Sequence, residues 1–436
     1  MPESAGHVVT EASDRAGSQD LAVANPRANA CRFCGAELSH TFVDLGMSPL
    51  CESYLTDEQL NQMEPFYPLH VFVCGNCFLV QLQEYVSVDS IFTEYAYFSS
   101  FSQSWLDHAK AYTAEMIRRF SLGSSSHVVE LASNDGYLLQ YFVKSGVPVL
   151  GIEPAANVAQ AAAEKGVPTL VRFFDCSVAR QLVSENKQAD LLLGNNVLAQ
   201  VPDLNGFVGG MKILLKSNGV ITMEFPHLLC LMREGQFDTI YHEHFSYFSF
   251  QATEKIFAKH GLSIFDVEQL DTHGGSLRIY ARHAEDRSKE TSPRVQALRM
   301  DEETARLSSL DAYSAFAAQV VGSKCALLEF LIHARRAGKQ VAGYGAPGKG
   351  NTLLNYCGIR SDLLAYTVDR NPYKHGKFLP GSHIPIFAPD RIRESKPDYI
   401  LILPWNLKDE IMQQLSYVRD WGARFVVPIP EVRIHE

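Results

Sequence analysis

Apolar residues in this chain fall into short continuous runs separated by stretches of helical periodicity. The runs at 127–131, 148–153, 190–195 and 219–225 read as buried strands, and an Ala-rich helical stretch follows the second. Asn134-Asp135-Gly136 reads as a turn and 137–143 as a helix. Strands of this kind, alternating with helices, predict a parallel sheet covered on both faces. Residues 263–270 and 275–281 predict a terminal antiparallel pair. After a charged helical stretch at about 286–338, the alternation restarts with strands at 340–344, 364–369 and 399–403. The pattern therefore predicts two doubly wound α/β units. Ahead of them, residues 1–25 are small, polar and aperiodic, and are expected to form a disordered tail.

The chemistry begins between that tail and the first strand. Cys31-x-x-Cys34 and Cys74-x-x-Cys77 stand about forty residues apart, each with a glycine beside a cysteine (Gly35, Gly75). Four thiolates complete a tetrahedral zinc shell, and a closed four-sulfur site leaves no position for a substrate. A structural zinc in a module spanning 26–88 is the preferred reading, with disulfides or a redox pair as competitors. So small a module would depend on the metal for much of its stability. The other five of the nine cysteines are scattered, which suits buried thiols in a reducing compartment.

The first α/β unit, placed at 89–285, carries Glu130-Leu-Ala132-Ser-Asn134-Asp-Gly136-Tyr137, a strand end, a small-residue turn and a helix start. Its second strand ends in Glu153, where α/β nucleotide folds accept ribose hydroxyls. A dinucleotide site wants G-x-G-x-x-G, and its first two glycines are missing here. S-adenosylmethionine has no phosphate, and an acid- and amide-bearing turn suits it better. An ordinary β–α turn remains the competing reading.

The densest polar cluster is 237–247, with Tyr241-His242-Glu243-His244 at its centre, following the strand that ends near Glu224. A histidine beside a carboxylate is a natural general base. Metal ligation by His242 and His244 on a strand, and a pair of structural histidines, are the alternatives. In the second unit, placed at 286–436, the turn Gly345-Ala-Pro-Gly-Lys349-Gly-Asn351-Thr352 suggests a phosphate cradle at a helix start. It is not a Walker motif, and a dinucleotide site competes with sugar-nucleotide docking. Tyr373, Lys374 and His383 lie in loops that would assist or be plain surface.

Taken together, these motifs resemble the sugar C-methyltransferases that act on nucleotide-linked 4-keto-deoxysugars in antibiotic pathways. The resemblance runs from about Cys31 to the C-terminus. It rests on the cysteine tetrad, residues 130–139, 241–246, 273–278 (His-Gly-Gly-Ser-Leu-Arg), 343–352 and 369–385. It implies a zinc module, a class I methyltransferase domain and a C-terminal Rossmann-like domain, with the sugar nucleotide between the large domains. It implies His244 as the base that takes the proton next to the ketone, with Tyr241, Glu243 and Tyr95 (or Tyr97) as neighbours. Cofactor contacts are expected from Glu130, Ala132, Asn134, Gly136, Tyr137, Glu153, Asn195 and Asn196. Substrate contacts are expected from Gln200, Lys349, Asn351, Thr352, Tyr373, Lys374 and His383. One departure is plain: the family commonly has histidine where this chain has Gln200, and an amide does not titrate near neutral pH.

Net charge sets limits on partners. At −10 over 436 residues, the chain lacks the basic balance of a nucleic-acid binder. No apolar run approaches the roughly 20 residues of a membrane span, and no signal peptide is visible, so a cytoplasmic enzyme is expected. Two rival functions stay open at this point. One is a bifunctional methyltransferase–ketoreductase using NADPH. The other is a non-enzymatic zinc-module binding protein.

Overall fold

The computed structural model describes residues 29–88, 91 and 98–436. Three sheets organise it. The first is built on β1 (His40–Ser48), β2 (Tyr67–Val73) and β3 (Val80–Leu82), antiparallel neighbours in that order.

The second sheet takes β4 (Val128–Leu131), β5 (Val149–Ile152), β6 (Thr169–Leu170), β7 (Ala189–Asn195) and β8 (Leu215–Pro226). The chain then leaves it: β9 (Ser246–Tyr247) pairs antiparallel with β3 and becomes the fourth strand of the first sheet. It returns as β10 (Leu262–Leu270) and β11 (Ser276–His283), an antiparallel pair inserted beside β8. The spatial order is β10-β11-β8-β7-β4-β5-β6, parallel from β6 to β8 and antiparallel at β11. The central strands are buried throughout, as a sheet covered on both faces requires. The order reverses beside β4, so β4, β5 and β7 open a crevice at their C-terminal ends, the usual ligand site of such sheets.

The third sheet holds β12 (Val341–Tyr344), β13 (Thr367–Val368), β14 (Ile386–Phe387), β15 (Tyr399–Ile402), β16 (Arg424–Val427) and β17 (Arg433–His435). Its order β14-β13-β12-β15-β16-β17, parallel except for β17, is a second doubly wound unit. The helix Phe316–Arg336 leads into it and buries Phe316, Val320, Leu327, Leu331 and Ala334 against its core. By length and composition, Asp311–Arg336 is apolar enough to cross a membrane, against the expectation that no stretch of the chain would be.

The zinc module, expected to have a tiny core of its own, shares its buried residues with both larger units. Phe33, Leu38, Cys74 and Cys77 pack in one cluster with the methyltransferase-side helices through Val178, Phe207 and Phe257. Phe42, Leu45, Leu69 and Val71 belong to a different cluster, shared with Val341, Leu353 and Leu401 of the third sheet. Beyond β1, the chain reaches over the C-terminal unit. Leu55 and Phe378 exchange backbone hydrogen bonds (3.0 and 2.9 Å), and Glu64 accepts from the Gly381 amide (2.6 Å) and meets His383 Nε2 (2.9 Å).

Candidate active site and zinc centre

The four cysteines come together at one point. Cys31 and Cys77 Sγ lie 3.6 Å apart, Cys34 and Cys74 Sγ 3.5 Å, and all four lie within 4.8 Å of one another. A zinc with bonds near 2.3 Å sets tetrahedral sulfurs about 3.8 Å apart, so the donor set fits that ion. A buried amide, Gln81 Nε2, donates to Cys31 Sγ (3.1 Å) and orients a ligand from outside the shell.

A cavity of about 390 Å³ opens at the C-terminal ends of β4, β5 and β7. Ala132, Asn134, Tyr137, Glu153, Asn195, Asn196 and Gln200 line it, joined by Trp105 and Phe174. The first turn explains how a chain without the usual glycines makes this crevice. Ala132, Asn134 and Gly136 have φ of 54°, 48° and 72°, alternate positions in the left-handed region. Glycine favours that region, and asparagine tolerates it better than most residues. The glycine-type path is thus kept without two of its glycines, at the cost of strain. At Gly136 a side chain has no room: a Cβ would come within 3.1–3.3 Å of Val167 and Ala162. Gly136 therefore serves helix–strand packing, and it stands apart from the cavity wall.

Glu153 braces the turn. Its Oε2 accepts from the Asn134 amide (2.9 Å) and its Oε1 from the Ala155 amide (3.0 Å). Carboxylate oxygens have a second lone pair, so both can still accept from ribose hydroxyls. Burial raises the pKa of Glu153, against those two amides. Glu130 is fully buried behind the turn, and burial beside Glu153 and Asp135 pushes its carboxyl well above the usual range. Asn196 has φ 56°, and its Oδ1 is buried without a partner at the cavity. A crevice with a ribose acceptor at one end and an unspent amide oxygen at the other fits S-adenosylmethionine, which carries hydroxyls and an ammonium and no phosphate.

The 237–247 segment meets the chain beside this crevice, where the Phe245 amide donates to Ala199 O (2.7 Å) next to Gln200, and His242–Glu243 form a turn, so His242 and His244 do not share a strand face. His242 Nε2 donates to Pro68 O (3.1 Å). His244 Nδ1 donates to Thr239 O (3.0 Å), which leaves Nε2 as the basic nitrogen. Burial lowers the pKa of His244 to about 4, and the charges of His273 and Lys349 push the same way. Tyr241 lies with its ring centroid 4.1 Å from that of His244. Glu243 is buried and accepts a weak bond from the Cys51 thiol (3.6 Å), so the zinc-module chain reaches this site too. Burial and the Glu243 charge raise Tyr241 well above an ordinary phenol. Among the described residues only the cysteine tetrad has metal-site geometry. Tyr95 lies outside the described residues.

The C-terminal residues divide. Asn351 is buried and both its amide atoms lack partners. Thr352 Oγ1 donates to Ile240 O (2.9 Å), tying the helix Gly348–Cys357 to the loop ahead of Tyr241. Lys349 donates to Asn406 (2.8 Å) and lies over the Trp405 ring (4.5 Å). Trp405 Nε1 in turn donates to the buried Asp238 (2.7 Å). Lys374 donates to Ala346 O (2.9 Å), His383 meets Glu64, and Tyr373 is exposed. Sequence reasoning missed Trp405, Cys51 and Trp105 as site residues; they have no motif of their own and are recruited by packing.

Residues 31–92 match the family described as "Putative zinc binding domain", 105–267 "Methyltransferase domain", and 271–430 "C-methyltransferase C-terminal domain". The chain is 35% identical over 404 residues to the C-methyltransferase NovU of Streptomyces niveus, covering 93% of this chain and 96% of that protein. The chain belongs to the C-methyltransferases. It is an enzyme that methylates carbon with S-adenosylmethionine, on a class I methyltransferase fold with a zinc-binding module. A shorter likeness, 26% over 101 residues, links it to the ubiquinone biosynthesis O-methyltransferase of Rhodopseudomonas palustris, covering 23% of this chain and 40% of that one. The magnesium protoporphyrin IX methyltransferase of Synechocystis with bound SAM overlaps 40% of this chain and 78% of its own at 14% identity. Its TM-score of 0.31 is too low to carry an argument.

Proposed function

We propose that this C-methyltransferase acts on the carbon next to the ketone of a dTDP-4-keto-deoxysugar, through an enolate, in deoxysugar and antibiotic biosynthesis. The observation that carries the reading is His244: Nδ1 is spent on Thr239 O, and burial keeps the ring neutral, so Nε2 is a ready base. A sugar carbon beside a ketone is a weak acid, and its methylation needs a general base at that carbon.

S-adenosylmethionine supplies an electrophilic methyl group when bound. His244 removes the α proton, and the C–H electron pair moves to form the enolate, whose charge settles on oxygen. Tyr241 keeps its phenol proton at neutral pH and can donate beside the base. Glu243 helps fix the loop. Gln200 offers a hydrogen bond where a titrating group is common in the resembling family. Asn351, with both amide atoms unspent at the interface helix, is suited to the sugar nucleotide.

The ketoreductase rival needs a nicotinamide crevice in one of the two units. The first lacks the pyrophosphate glycines, and at the turn of the second Tyr54 OH donates to Ala346 O (2.6 Å), where a nicotinamide dinucleotide would have to lie. The test is mass spectrometry with S-adenosylmethionine and a panel of dTDP-4-keto-deoxysugars. A gain of about 14 Da, with solvent deuterium exchange at the α carbon, is expected on one of them. Cofactor binding with neither signal on any keto sugar overturns the reading.

A further inference from the structure

Two neighbouring residues outside the usual acid–base set share an unusual condition. His273 and Asn196 both have φ of 56°, and neither is glycine. Each also buries a polar side-chain atom with no partner, His273 Nδ1 and Asn196 Oδ1. They touch: Asn196 Nδ2 lies 3.4 Å from His273 Nε2. Strained backbone and unspent polar atoms at one spot mark a place kept for a ligand.

The strain at His273 is held from several sides. Thr272 Oγ1 donates to Glu224 (3.0 Å), and Gln236 Nε2 donates to Gly274 O (2.7 Å). Trp405 of the C-terminal unit closes over Gly274 so tightly that a Cβ would come within 2.5 Å of it. The imidazole stands edge-on to Trp105 (5.0 Å, 86°), which lines the cofactor cavity together with Asn196. Asn196 lines that cavity, His273 adjoins it through Asn196 and Trp105, and the His273 ring is close enough to His244 to act on it electrostatically. The Asn196 amide nitrogen donates to His273 Nε2, so a neutral ring carries its proton on Nδ1, the buried and unspent atom. Burial lowers the pKa of His273 to about 4, which keeps the ring neutral.

We propose that His273 is a catalytic residue: its unspent Nδ1–H donates to the substrate's ketone oxygen and stabilises the enolate formed as His244 takes the α proton. The proposal rests on the keto-sugar reading above. Charge balance is simple. The proton goes to His244 Nε2, the C–H pair becomes the new C=C bond, and the C=O pair moves to oxygen, where His273 holds it. On methyl transfer the oxygen pair returns to C=O, the C=C pair forms the bond to the methyl carbon, and the S–CH₃ pair stays on sulfur.

The test uses the full-length His273→Gly and His273→Asn variants with dTDP-4-keto-deoxysugars. It follows methylation with S-adenosylmethionine and α-deuterium exchange with S-adenosylhomocysteine. Glycine accepts a positive φ without strain, so His273→Gly is expected to fold and to bind cofactor as wild type does. It should lose about 10²–10³-fold in both kcat and exchange, the usual cost of one such donor, with little change in KM. Asparagine tolerates the left-handed backbone and keeps an N–H, so His273→Asn should recover a measurable part of both rates. Wild-type exchange in His273→Gly overturns the proposal, even if methylation falls. So does His273→Asn no faster than His273→Gly. A wild-type protein that binds cofactor but neither exchanges nor methylates any keto sugar removes the keto-sugar reading, and the proposal with it.

Discussion

The two doubly wound units are built on one plan and put to different uses. In each, the first strand runs into a small-residue turn, and an acid at the end of the second strand braces it. Glu153 accepts from the Asn134 amide at 2.9 Å, and Asp369 accepts from the Ala346 amide at 2.7 Å. In the first unit, the crevice above the brace is the 390 Å³ cavity. In the second the turn is covered by protein: Tyr54, from the segment after β1, and Lys374, of the unit itself, both donate to Ala346 O, and Pro404 closes on Gly345. An acid at the second strand end therefore marks a turn that needs bracing, and a ligand only where nothing else covers it.

The comparison can be broken at several points, and the largest effect is expected at the base of the open unit. His244→Asn should keep cofactor binding by calorimetry and lose about 10²–10⁴-fold in turnover. Near-native turnover would take His244 out of the base role.

Acidification should separate the units next. The unfolded chain protonates its histidines near the ordinary 6.5, whereas His244 and His273 hold out to about 4 when folded. The unfolded state then binds more protons between these values, so stability contributed by the neutral rings is full above about 6.5 and is lost as pH falls toward 4. Urea midpoints at pH 7 and 5 should show that loss, and a His244→Asn/His273→Asn double variant should show less of it. Equal slopes in the two proteins would place these rings elsewhere in the balance.

The covered turn is tested by Tyr54→Phe, which removes a buried donor from Ala346 O and should cost about 1–2 kcal/mol in denaturant unfolding. Wild type should show no NADPH binding by fluorescence. Saturable binding would mean that the second crevice opens. The smallest effect belongs to Ala132→Gly. It relieves a left-handed alanine but loosens the unfolded chain, so a gain of up to about 1 kcal/mol is expected, read as a raised thermal midpoint. A loss of stability there would contradict strain at that turn.

Much of this was legible in the sequence because it is local. The cysteine spacing, the strand–turn–helix around Glu130, and the antiparallel pair at β10 and β11 all follow from neighbours in the chain. What was not legible depends on distance or on conformation. Nothing in Ser246 and Tyr247 announces that two residues leave one sheet for another. The left-handed φ of Ala132 is invisible because alanine rarely adopts it, so the turn looked short of glycines when its path was intact. The contacts of Lys349 with Trp405 and Asn406 were not legible because those residues lie more than fifty residues away in sequence. The segment with Tyr54 and Glu64 was counted with the zinc module, although its polar contacts are with the C-terminal unit.

The excursion of β9 into the first sheet has a practical consequence for anyone who cuts this chain. A fragment holding only the second sheet would carry the His244 loop with β9 stripped of β3, its hydrogen-bonding edge bare and Tyr247 uncovered beside it. Unpaired edges of that kind recruit other chains, so such a fragment is expected to come out of expression as aggregate. The natural unit of dissection is therefore the stretch from the cysteine knuckles onward, kept whole and grown with zinc.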